Sequence, residues 1–158
     1  MTSGSSTLLE TSSSQTRQTT RRNLIYIAIA LLALGGLADS IYLTVQHITG
    51  ESVRCTIISG CSEVLSSSYA VIGGYPLASI GAFAYFTVFS LAILAVFGYR
   101  VASQLLLPVV LAMCVVSLWL IYLQAFVIRH FCQFCLLSAG ITFTMTLLVL
   151  LHWRLNRR

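Results

Sequence analysis

The chain has no lysine, and its only acids are Glu10, Asp39, Glu51 and Glu63, four among 158 residues. Charged residues make up 8%, against roughly 25% in a soluble domain. That is too little to cover a water-facing surface, which excludes a soluble globular fold. Hydrophobic residues make up 58%, and this excludes intrinsic disorder of the chain as a whole. There is no haem-attachment motif, no dinucleotide fingerprint and no internal repeat. What remains is a membrane protein.

All nine basic residues are arginine, and the net charge is +5. Arg17, Arg21, Arg22, Arg54, Arg100, Arg129, Arg154, Arg157 and Arg158 stand at segment ends rather than on one face. Nucleic-acid binding needs a basic face, so no nucleic-acid partner is expected. Arginines at segment ends instead read as topology signals flanking spans.

A spanning helix needs about 20 mostly apolar residues. Four stretches qualify, near 24–45, 76–97, 105–128 and 131–151, and only the first is broken by a charge, Asp39. The links around Gly98 and Arg100, and around Arg129 and His130, are short enough to force antiparallel neighbours. The expected fold is an all-α, four-helix membrane bundle with an outward loop, 48–75, between the first two helices. The first span is too long for a signal-peptide core, and no small-residue cleavage site follows it. With both termini in the cytoplasm, seven arginines lie inside and only Arg54 and Arg129 outside, as the positive-inside rule requires. Residues 1–22 are expected to be a disordered Ser/Thr-rich tail, 23–152 the membrane domain and 153–158 a basic tail. The redox compartment implied is the outer side of a bacterial inner membrane, with a thylakoid membrane as the alternative.

Five cysteines are present. Cys114 lies mid-span and reads as packing. The other four converge on the outer face as C-x5-C (Cys55, Cys61) in the loop and C-x2-C (Cys132, Cys135) opening the fourth helix. Spacing of i, i+3 puts Cys132 and Cys135 on one helix face. The positive end of the helix stabilises a thiolate there, the species that attacks disulfides. A loop pair with Gly60 beside it, next to a fixed pair, is the layout of a disulfide relay. Two structural disulfides in a non-enzymatic scaffold are the other reading. C-x5-C is wide for a zinc site, so no metal is expected. With no soluble cofactor domain, the acceptor left by elimination is a lipid-soluble quinone, its ring near Cys135. Asp39, about two turns from the outer end of its span, is a candidate proton relay or bundle hydrogen bond. His47 and His130 fit interfacial positions, and His152 with Trp153 an inner-face anchor.

The run GCSEVLSSSYAVIGGYPLASIGAFAY, with Cys55 before it and FCQFC after it, resembles the vitamin K epoxide reductase family in its bacterial form, over residues 24–151. The resemblance implies a bundle around a quinone: ubiquinone, menaquinone or phylloquinone. It makes Cys55 and Cys61 the shuttle pair and Cys132 and Cys135 the active-site pair. Electrons from a thioredoxin-fold partner would enter at Cys55, pass from Cys61 to Cys132, and leave from Cys135. Ser67 matches a Ser or Thr near the quinone. Animal epoxide reductases carry an Asn and a Tyr where this chain has Leu77 and Ala139. Simple quinone reduction is therefore expected over epoxide reduction. The chain ends at HWRLNRR, so the thioredoxin-like partner is expected to be a separate protein.

Overall fold

The structure, a computed structural model, describes residues 3–50, 64 and 70–157. Cys55, Cys61 and Ser67 lie outside the described residues. Within lipid the backbone must satisfy its own hydrogen bonds, so the apolar runs form helices. The first, α1, spans Ser3–Thr49. A two-residue hairpin follows, β1 (Val71–Ile72) pairing antiparallel with β2 (Tyr75–Pro76). Then come α2 (Leu77–Val96), α3 (Arg100–Tyr122), a π-helical turn (Leu123–Ile128) and α4 (Gln133–Arg157).

Four helices are long and apolar enough to cross a membrane: Thr19–Thr49, Leu77–Val96, Arg100–Ile128 and Gln133–Arg154. The chain is a multi-pass membrane protein built as an all-α bundle. Its outer surface carries Phe83, Val115 and Leu147, large apolar side chains that acyl chains would cover. The inner seam is buried: Ile29 and Ala33 of α1, Val88 and Ala92 of α2, Leu106 and Val110 of α3, Met145 and Val149 of α4. Small residues bring α1 and α2 close. A Cβ at Gly36 would collide with the Tyr85 ring, so only glycine admits that ring.

The links follow from local chemistry. After α2 the N–H of Gly98 donates to Ala95 O (3.1 Å) and that of Tyr99 to Leu94 O (3.2 Å). This is a Schellman closure, and Gly98 takes the left-handed backbone it needs (φ 92). Gly73 (φ 60) and Gly74 (φ 87) form the hairpin turn, where both central residues require positive φ. The hairpin had no counterpart in the expected all-α layout. It delivers Pro76 as the residue that caps α2.

One expectation needs correction. Residues 3–22, expected as a disordered tail, are helical and continuous with the first span. The segment holds no proline, and extending an existing helix needs only propagation, without the cost of a new nucleus. The boundary drawn at residue 22 therefore falls inside a helix. Tyr26 Oη and His152 Nε2 share a hydrogen bond of 2.9 Å that ties α1 to α4.

Candidate active site

Cys132 is the residue that precedes α4, and Cys135 sits in its first turn. The Cys132 carbonyl accepts the Leu136 N–H at 3.0 Å, so the helix begins on it. Both are free thiols. The Cys135 thiol hydrogen-bonds the Cys132 sulfur. That bond, joined by the amide groups of Cys135 and Phe134, lowers the Cys132 thiol to about 7 against the opposing effects of burial and the nearby Asp39. The sequence argument credited the helix N-terminus. Its amides contribute, but the partner thiol is the larger cause.

The two sulfurs share one apolar cluster, and only Cys135 also borders a cavity. Cys132 is fully buried in a small apolar cluster with Leu43 and Val64, against which Ile128 and Phe134 pack. Cys135 lies on the wall of a cavity of about 140 Å³ between the four helices. An apolar cavity of roughly 150 Å³ admits benzene, so one six-membered ring fits here. The walls are mainly apolar: Leu43 from α1, Leu77 and Ala78 from α2, Leu120 and Ile121 from α3, Ala139 from α4. The two positions where animal enzymes carry polar groups, Leu77 and Ala139, both line it.

Asp39, Ser40 and His47 are the polar contribution of α1 to this cavity. Asp39 Oδ2 is buried with no hydrogen-bond partner among the described residues. A buried unpartnered carboxylate oxygen is costly, and here it borders a space that could supply a partner. His47, near the end of α1, also lines the cavity, and His130 is exposed. Ser138 on the α4 wall is held from behind, because Tyr85 Oη bonds Ser138 O (2.9 Å), Ser138 Oγ (2.7 Å) and Thr142 Oγ1 (3.0 Å). Cys114 stands half-buried on α3 and is not part of the wall.

The sequence reading missed Gln124. It is buried (3% exposed) on the π-helical turn and lines the cavity. Its Oε1 accepts the backbone N–H of Cys132 at 3.1 Å. The turn ends at Arg129, a non-glycine residue in left-handed backbone (φ 58). The only sequence signal was a lone amide in an apolar run, LIYLQAFVI.

Thiol-disulfide oxidoreductase LTO1 of Arabidopsis thaliana is 31% identical over 118 residues, 69% of this chain. The match spans 31% of that relative's length, so this chain corresponds to about a third of it. The profile of the vitamin K epoxide reductase family covers residues 27–150, from α1 to α4. Because that match takes in part or all of each of the four spans, together with Cys132 and Cys135, the chain belongs to the vitamin K epoxide reductase family.

Proposed function

We propose that this protein is a membrane thiol–quinone oxidoreductase that reoxidises a thioredoxin-fold partner and so supports disulfide formation. The observation that carries this reading is the division of the C-x2-C pair. Cys135 borders a ring-sized apolar cavity, while Cys132 lies beneath Val64. Cys61 precedes Val64 by three residues, a chain length of at most about 11 Å. A path from Cys55 and Cys61 to Cys132, then Cys135, then the cavity follows that order. The Arabidopsis relative's name, a thiol-disulfide oxidoreductase, and the family match support the redox class.

A quinone in the cavity would take up two electrons and two protons, both available from the two thiols as they close to a disulfide. The residues present suit it: apolar walls for the ring, and Asp39 Oδ2 in need of a hydrogen. Asp39, protonated, can donate to a carbonyl oxygen and recover its proton from a thiol. Ser67 is carried as a further hydrogen-bond donor from the family resemblance. Leu77 and Ala139 leave no polar side chain at the two positions that animal epoxide reductases use. This favours a quinone over an epoxide. The proposed setting is a bacterial inner membrane with both termini cytoplasmic and the thiols outside.

The test is anaerobic quinone reduction by the purified protein in detergent, with a dithiol donor. Sustained quinone loss is expected for the wild type and none for Cys132→Ser or Cys135→Ser. Background loss in a folded wild type would reject the reading in favour of a scaffold.

A further inference from the structure

Ser138 follows Cys135 at the i, i+3 spacing that puts two side chains on one helix face, and both line the cavity. Its Oγ lies 2.7 Å from Tyr85 Oη, which reaches from α2 to α4. Tyr85 Oη also lies 2.9 Å from Ser138 O and 3.0 Å from Thr142 Oγ1. Thr142 Oγ1 donates to Ser138 O at 3.0 Å. The Tyr85 ring is buried and fills the space that Gly36 leaves open, so its hydroxyl is held in place.

Each of these hydroxyls has one hydrogen and two lone pairs. Thr142 serves the Ser138 carbonyl. The Tyr85 hydrogen can go to Ser138 Oγ, and the Ser138 hydrogen is then left for the cavity. It can instead go to Ser138 O. The Ser138 hydrogen then turns to Tyr85 Oη, and its lone pairs are left for the cavity. No heavy atom moves between the two arrangements. A quinone needs both, because its carbonyl oxygens accept hydrogen bonds and the hydroxyls of its reduced form donate them. The neighbouring wall residues Leu77 and Ala139 have side chains that can do neither.

We propose that Ser138 is the hydrogen-bonding contact for one quinone oxygen, donating to the carbonyl before reduction and accepting from the hydroxyl afterwards, with Tyr85 as the positioning residue that permits the reversal. This deepens the proposed quinone reading and rests on it. The two electrons and two protons of the reduction still come from the dithiol as it closes. Ser138 keeps its own proton and changes only the direction of its hydrogen bond.

The experiment uses the full chain with Cys132→Ser, which keeps Cys135 on the cavity wall and cannot close the disulfide. Binding of duroquinone, durohydroquinone and durene is measured by calorimetry in detergent under nitrogen. The three share one tetramethyl ring and differ in their oxygens. Comparing each ligand between proteins cancels its partition into micelles. Adding Ser138→Ala is expected to weaken duroquinone and durohydroquinone about two- to tenfold, the net value of one hydrogen bond, and to leave durene unchanged. Adding Tyr85→Phe keeps the ring but frees the Ser138 hydroxyl to turn back onto the carbonyl one turn earlier. It is expected to weaken duroquinone by a similar factor and to spare durohydroquinone, which needs only a lone pair. Unchanged duroquinone affinity in folded Ser138→Ala, or an equal loss for all three ligands, overturns the proposal. Should Ser138→Ala fail to fold, the same two outcomes in Tyr85→Phe overturn it. A parent protein that binds no duroquinone rejects the quinone reading and this proposal with it, a result read before either variant is added.

Discussion

Replacing Cys135 by alanine isolates the origin of the Cys132 thiolate. The Cys132 thiol falls from an ordinary 9.0 to about 7, which corresponds to ~2.7 kcal/mol in favour of the ionised sulfur. The Cys135 thiol is the first cause, and a hydrogen bond to a charged group is worth about 1.5–3 kcal/mol. Cys135→Ala keeps the backbone amides of the helix start and deletes only that bond. The titration midpoint of Cys132 should rise to between about 8 and 9. At pH 7 the thiolate fraction then falls from about one half to between roughly a tenth and a hundredth. A thiolate of higher pKa is intrinsically the better nucleophile, with a slope of about 0.4–0.5. Net reactivity at pH 7 should therefore drop only about two- to sixfold, and above pH 9 the variant should react faster than the parent. The assay is iodoacetamide alkylation of Cys132, resolved by mass spectrometry, from pH 5.5 to 10. Burial of Cys132 slows both proteins alike and leaves the midpoints intact. A midpoint still near 7 in Cys135→Ala would refute the reasoning and credit the helix amides alone.

Further outcomes follow from the same geometry. Because the folded pKa of Cys132 is depressed, its contribution to stability is complete above about pH 9 and is lost as pH falls through 7. Thermal unfolding of the reduced protein should show this rise, and Cys132→Ser should abolish it. Gly36→Ala would drive a methyl into the rigid Tyr85 ring and should cost about 1–3 kcal/mol, read from the unfolding temperature in detergent. A cost near zero would mean the helices separate freely. Asp39→Asn keeps the shape and removes the acid. If Asp39 relays a proton, kcat for quinone reduction should fall about 100-fold or more with KM little changed, and an unaltered kcat would reduce Asp39 to a structural polar group.

Much of this architecture was legible in the sequence because the membrane imposes it. The four spans follow from uninterrupted apolar runs, and their antiparallel order follows from links as short as residues 97–99. The placement of Cys132 and Cys135 at a helix start followed from the tight turn around Arg129 and His130. Leu77 and Ala139 were marked by resemblance, and both prove to line the cavity. What was not legible depends on tertiary contacts or on local backbone that the pattern does not distinguish. Nothing in LIYLQAFVI separates a π-helical turn from a regular one, so Gln124 passed as an incidental amide. Ser/Thr-rich composition marked residues 1–22 as a tail, yet composition cannot register that the segment continues a helix already nucleated by the membrane span. His47 shows the same limit. Its sequence position is interfacial, and only the packing of α1 against the other helices puts it on the cavity wall.

The lowered thiol at Cys132 bears differently on driving force and on speed, and pH decides which matters. Stabilising a thiolate favours the dithiol and makes the disulfide a stronger oxidant, but only to the extent that the sulfur is ionised. With a pKa of about 7 in place of 9.0, the dithiol gains a factor of about two at pH 7 and about ten at pH 8. These correspond to roughly 10 mV and 30 mV for a two-electron couple. Near neutrality the equilibrium advantage is therefore small. The kinetic one is not, since about half the molecules carry a reactive sulfur where an ordinary thiol would offer about one in a hundred. Burial of Cys132 under Leu43 and Val64 then restricts which thiols can use that reactivity. Cys135, one helical turn on, opens onto the cavity instead. A pair tuned for driving force alone would need no such asymmetry. Here one sulfur is ionised and covered while the other borders the cavity, an arrangement suited to exchange with one chosen donor on one side and an apolar acceptor on the other.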